Sequence, residues 1–119
     1  MLVYTDRILE LFGTSGKIYR FDIYSFDSFD DLKTAFKQKF PALYLFTKIG
    51  TDGENCTHDL IYLGETGDLA TRFNHHHKQL CVMNHGANHI GIYAASNCDS
   101  ERRGEESDLL DSYDFPCNE

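Results

Sequence analysis

Tryptophan is absent from this 119-residue chain, and so are a CxxC pair, internal repeats and long apolar runs. Without the ~20 apolar residues a spanning helix needs, no transmembrane segment and no membrane partner are expected. The first residues lack the basic and apolar pattern of a secretory signal, so the expected location is cytoplasmic. Cys56, Cys81, Cys98 and Cys117 are spaced irregularly, which argues against a zinc knuckle or a disulfide framework and for reduced thiols. The sequon Asn55-Cys56-Thr57 then carries no meaning, because glycosylation follows secretion. Positive charge is also scarce, 11 Lys and Arg against 19 Asp and Glu, for a net charge of −8. Such a chain lacks the basic footprint of broad, non-specific nucleic-acid binding. The acids cluster, however: Asp99–Glu119 sets eight carboxylate side chains against Arg102 and Arg103, which leaves room for a local cationic cleft elsewhere.

What is present is an ordinary globular composition, 41% apolar and 25% charged, in a length that suits one domain. Thr5 to Phe12 fits a short helix stopped by Gly13. Lys17 to Phe26 is rich in Ile, Tyr and Phe and predicts a strand. Ser28 then caps a helix whose apolar positions are Phe29, Leu32, Phe36 and Phe40, ended by Pro41. Residues 1–40 are therefore an added strand and helix ahead of a compact core over 41–118. That core opens with the strand Ala42–Thr47. A turn marked by Gly50, Asp52 and Gly53 leads to its hairpin partner, Asp59–Gly64. Alternation puts Tyr44 and Phe46 on one face and Leu43 and Leu45 on the other, while Tyr62 opposes Ile61 and Leu63. A helix, a loop rich in Asn, Gly and His, the strand His89–Ala94 and a second helix complete the core.

Both of those helices carry a charge where packing wants hydrocarbon. Leu69, Arg72, Phe73 and His76 follow the i, i+3, i+4, i+7 rule of one helix face. Glu106 likewise lies on the stripe of Leu109, Leu110 and Tyr113. A half-buried guanidinium and a half-buried carboxylate each need a partner. Either they pair with each other as a structural bridge, or both face a site that takes a metal and an anion.

The order of features is specific: Tyr44 on a first strand, Tyr62-Leu63-Gly64 on its partner, Arg72 after Leu69, Glu106 on a later helix, and a terminal Pro116-Cys117-Asn118. In this order the chain resembles the GIY-YIG nuclease superfamily across roughly residues 41–118. Ala42-Leu43-Tyr44 stands for the first motif, with Ala and Leu in place of the usual Gly and Ile. Leu69 to His76 is similar to the Leu-x-x-Arg-(apolar)-x-x-His helix, and Glu106 to Leu110 to the Glu-x-x-Leu-(Ile/Leu) helix. Glu65 stands where some members place a Lys, which removes one cation from the site. Gly91-Ile92-Tyr93 spells the first motif literally but follows the second, so it is assigned to the third core strand and given no catalytic role.

The resemblance implies an α+β fold with a three-stranded antiparallel sheet flanked by helices. It also implies a DNA endonuclease using one divalent cation, Mg²⁺ or Mn²⁺, with Glu106 the metal ligand. Arg72 would stabilise charge on the phosphorus, and Tyr62 or Tyr44 would orient or deprotonate the attacking water. His76 would assist by hydrogen bonding or proton transfer. Lys48, Lys78, His85 and Asn118 are the further candidates for substrate binding, Asn118 also as an anchor of the last segment. DNA is the implied partner, with RNA as an alternative, and a homodimer would be needed for a double-strand cut by a one-site enzyme. Each residue has a plainer reading as well: core aromatics for the two tyrosines, surface charge for the two lysines, and solvent for two of His75-His76-His77. A catalytically silent module that binds nucleic acid or a protein, and an acidic mimic of DNA, are the competing functions.

Overall fold

A computed structural model describes residues 1–50 and 57–118. The chain folds as a mixed α+β domain around one antiparallel sheet of five strands, in the order β1-β2-β5-β3-β4. The strands are β1 (Val3–Phe12), β2 (Ile18–Ser25), β3 (Ala42–Ile49), β4 (His58–Thr66) and β5 (His89–Ala94). Four helices accompany them: α1 (Asp30–Lys33), α2 (Leu69–Arg72), α3 (Gln79–Asn84) and α4 (Asp99–Leu110), followed by a 3₁₀ turn over Pro116–Asn118. No helix is long and apolar enough to cross a membrane among the described residues. The turn expected around Asp52 and Gly53, and Asn55 and Cys56 of the sequon, lie outside them.

The expectation of a three-stranded sheet is corrected by the N-terminal segment. β5, β3 and β4 are neighbours, but β2 pairs with the free side of β5, and β1 with β2. Thr5 to Phe12 is part of a strand and not a helix, in register with β2 from Val3 opposite Ser25 to Phe12 opposite Ile18. Ile8, Leu9, Leu11 and Phe12 satisfy helical and extended spacing alike. Pairing with β2 decides for the strand, because it buries Leu11 and satisfies the ladder. A bulge between Tyr4 and Arg7, with Asp6 at φ 58°, bends β1.

The helix expected to run to Phe40 stops after one turn. Its N-cap is Phe29, with no side-chain cap, and Asp31 instead accepts the backbone N–H groups of Asp27 and Ser28. The Phe40 carbonyl accepts the Leu69 N–H at 2.9 Å, so this segment closes onto α2 in place of continuing a helix. Its apolar residues still reach the core, Phe29 and Leu32 fully, Phe36 and Phe40 in part. α2 is also one turn, so His76 follows the helix and is not part of it.

The core lies on both faces of the sheet. One face gathers Phe29, Leu32, Tyr44, Phe46, Tyr62, Leu69, Phe73 and Val82 under α1, α2 and α3. The other gathers Tyr19, Phe21, Ile23, Leu43, Leu45 and Leu63 with Leu109 of α4. β3 and β4 alternate as expected except at a bulge where Phe46 opposes Tyr62 and Thr47 opposes Leu60. The skipped residue, Ile61, joins Tyr62 on the first face. Cys81 of α3 and Cys117 are a disulfide, which corrects the expectation of reduced thiols for that pair. Cys98 is free and exposed.

Candidate active site

Tyr44 lies opposite Gly64 on the paired strands β3 and β4, and Phe46 opposite Tyr62. Strand alternation therefore turns both phenols to the face covered by α1–α3. Gly64 is required by this arrangement, because a Cβ there would fall on the phenol end of Tyr44. The glycine of Tyr62-Leu63-Gly64 is the notch in which Tyr44 rests.

Arg72 reaches this point from α2. Asp68 caps that turn, accepting the Ala70 N–H at 3.0 Å and the Thr71 hydroxyl at 3.1 Å, while Leu69 is buried beneath. Arg72 donates from Nε to the Tyr44 oxygen at 2.9 Å, and its guanidinium carbon lies 5.8 Å from the centre of that ring. His76, buried, brings Nε2 within 2.6 Å of the same oxygen. Its Nδ1 receives the Lys78 N–H at 3.2 Å. A nitrogen that accepts carries no proton, so the neutral ring holds its hydrogen on Nε2 and donates it to Tyr44. Burial, with Arg72 and His77 nearby, lowers the His76 pKa to about 4, so the ring is neutral near pH 7.

Two donors converge on the Tyr44 oxygen, and the Tyr62 ring centre lies 6.0 Å from that of Tyr44. Burial raises the pKa of both phenols. The neighbouring Tyr44 lowers that of Tyr62 while Tyr62 raises that of Tyr44, and Arg72 pulls both down. Tyr62 is thus the more readily ionised phenol.

Glu106 enters from α4 as a half-buried carboxylate. Its pKa is raised, first by burial and then by Glu65, against the pull of Arg72 and Arg103. Tyr62 feels Glu106 in turn, as a charge that disfavours the phenolate. Arg72 and Glu106 form no ion pair with each other among the described residues. The bridges of α4 run to other partners: Arg102 to Glu65 at 2.6 Å and to Asp99, Arg103 to Glu65 at 3.9 Å, and Glu105 to Lys17 at 2.6 Å. Arg102 is buried, and Glu65 helps hold its guanidinium charged. Glu65 of strand β4 thus faces a buried guanidinium at 2.6 Å. Sequence reasoning passes over Arg102, yet it sits seven residues before Leu109 and four before Glu106, on the same helix stripe.

The remaining candidates are placed differently. Lys78 adjoins the cluster through its backbone bond to His76. Lys48 is exposed four residues beyond Tyr44, ~13 Å along the strand, with its stem beside Gly86. His85 lies against Cys81 and Cys117. Asn118 accepts the Leu63 N–H and donates to the Leu63 carbonyl, both at 2.8 Å, fastening the terminal turn to β4. His75 and His77 are exposed. Tyr93 of Gly91-Ile92-Tyr93 donates to Glu105 at 3.1 Å and packs on the opposite face of the sheet.

A cleft of about 780 Å³ opens on the other face of the sheet from Tyr44 and Tyr62, between Lys17, Tyr19, Tyr93, Glu105 and Asp108. A smaller hollow of about 350 Å³ adjoins His76 and His77. Of the clustered side chains, His76 is the one that lines it, beside Gln79, Leu80 and Met83. No protein-family model, curated protein or solved structure matches the chain.

Proposed function

We propose that the chain is a metal-dependent endonuclease that hydrolyses DNA phosphodiester bonds through a GIY-YIG-type site. In this reading β5-β3-β4 is the family's three-stranded core, and β1, β2 and α1 are an extension. One observation carries the proposal: Arg72, Tyr44, Tyr62 and His76 form one connected cluster, with Glu106 close enough to be felt by both Arg72 and Tyr62.

Glu106 suits a hard divalent cation such as Mg²⁺ or Mn²⁺. It offers oxygen donors, burial and Glu65 raise its pKa, and no ion pair engages it among the described residues. Such an ion, when bound, supplies charge neutralisation at the phosphate. Arg72 spends Nε on Tyr44 and keeps further donors of its five for phosphate oxygens. His76 and Arg72 together fix Tyr44 beside Tyr62. Tyr62 faces the incoming water and is the phenol able to take its proton, since Tyr44 and Arg72 both favour its ionised form.

Supercoiled plasmid incubated with Mn²⁺ should be nicked, and EDTA should stop the reaction. Glu106→Gln and Arg72→Ala should each reduce nicking by about 100-fold or more with an unchanged far-ultraviolet spectrum. Full activity in both variants rejects the assignment. A second reading, a silent nucleic-acid-binding module, is favoured by the position of Glu65, which adds a second acid beside Glu106. A gel shift of plasmid without cutting would select it.

A further inference from the structure

Cys81 and Cys117 are joined across a sequence separation of 36, with Cα atoms 5.9 Å apart. His85 follows Cys81 by one helical turn at the end of α3. Its Nδ1 lies 3.7 Å from the Cys81 sulfur and 3.5 Å from the Cys117 sulfur. All three donor atoms fall within 4.8 Å of one another. A disulfide needs no imidazole between its sulfurs and the solvent. Two sulfurs and a ring nitrogen at one point are instead the donor set of a zinc centre. The distances agree with that chemistry. Zn–S and Zn–N bonds of about 2.3 and 2.05 Å at tetrahedral angles separate S from N by roughly 3.6 Å, and S from S by roughly 3.8 Å. The S···N separations already match, and only the two sulfurs must part.

We propose that the reduced pair, Cys81 and Cys117, binds one Zn²⁺ together with His85, so that cystine and metal are alternative closures of one joint. The chemistry balances with a dithiol as reductant. Its two thiols become a disulfide, giving two electrons and two protons, and the Cys81–Cys117 bond becomes two thiols. Zn²⁺ then displaces both thiol protons as it binds the thiolates. In the cystine form the His85 Nδ1 hydrogen points to the Cys81 carbonyl, 2.9 Å away. Ligation moves that hydrogen to Nε2 and leaves Nδ1 free to bind. Cys117 is buried, Cys81 half-buried and His85 exposed, so the ion enters from the His85 side, with water in the fourth position. Either closure keeps α3 tied to the turn that carries Asn118, and so to the backbone of Leu63 beside Tyr62. This inference is independent of the nuclease reading.

The test uses the full chain with Cys56→Ser and Cys98→Ser, which leaves only the joined pair as thiols. After reduction by a dithiol and its removal without air, Co²⁺ is titrated as a spectroscopic probe and Zn²⁺ as its competitor. One equivalent of Co²⁺ should give thiolate-to-cobalt charge-transfer absorption and tetrahedral d–d bands, both erased by Zn²⁺. The oxidised protein should give neither. His85→Gln keeps both cysteines and should weaken Co²⁺ binding roughly tenfold or more, since loss of a group bound to the metal costs at least as much as loss of the groups that only orient its ligands. A reduced protein that keeps its near-ultraviolet circular dichroism yet takes up no Co²⁺ overturns the proposal. Equal binding by His85→Gln, or binding retained after Cys81→Ser with Cys117→Ser, overturns it as well.

Discussion

Tyr44→Phe deletes one oxygen from the middle of the cluster and leaves every ring in place. Tyr44 is fully buried, and that oxygen receives Arg72 Nε at 2.9 Å and His76 Nε2 at 2.6 Å. Without it the N–H of the buried His76 loses its acceptor, at a cost of about 1–3 kcal/mol. Arg72 is partly exposed and can turn to solvent, so its lost bond adds only about 0.5–1 kcal/mol. Together they come to about 1.5–4 kcal/mol. For a urea slope of about 2 kcal/mol/M, the unfolding midpoint should fall by roughly 0.75–2 M, read by circular dichroism. A double-mutant cycle with His76→Phe should return a coupling of about 1 kcal/mol or more. An unfolding free energy for Tyr44→Phe within ~0.5 kcal/mol of the parent protein would refute the hydrogen-bond assignment on which the site rests.

Stability should also fall with acid below neutrality. The His76 pKa is about 4 in the folded chain against ~6.5 unfolded, so between those values the unfolded state binds more protons. That difference removes about 1–3 kcal/mol as pH drops from ~6.5 to ~4, and the lowered pKa values of His58 and His89 act in the same direction. Urea unfolding at several pH values should show the decline, and His76→Phe should flatten it; an identical slope in that variant would exclude His76 as its source. Gly64→Ala drives a methyl into the Tyr44 phenol and should cost about 1–3 kcal/mol. Nicking should fall with it as Arg72 loses its rest on Tyr44. Unchanged thermal unfolding in Gly64→Ala would mean the two strands are not so closely apposed.

What the sequence reveals is the part fixed by local period and neighbouring strands. Alternation in Ala42–Thr47 and Asp59–Gly64 sets Tyr44 against Leu43 and Leu45, and Tyr62 against Leu63, but the pairing that brings both phenols to one face includes a bulge at Ile61 that no period reveals. Arg72 and Glu106 are legible as misplaced charges, since a helix stripe is a local pattern. The strand at Thr5–Phe12 is not legible, because its apolar residues fit two periods and only the distant partner β2 chooses between them. His76 keeps its expected burial, though the helix meant to carry it ends at Arg72. The Cys81–Cys117 bond and the Arg102–Glu65 bridge join residues 36 and 37 apart. Spacing along a chain holds no record of such pairings.

Asn118 deserves a last look for what it does to the rim of the sheet. β4 is an outermost strand, and Leu63 presents it with an N–H and a carbonyl that another molecule's strand could take up. The carboxamide of Asn118 occupies both, as an adjoining peptide group would. This border is therefore sealed by a side chain at Leu63. The opposite border, β1, is blunted by the kink at Asp6, by charges such as Glu10, and by the Tyr113 hydroxyl, which accepts the Phe12 N–H at 2.9 Å.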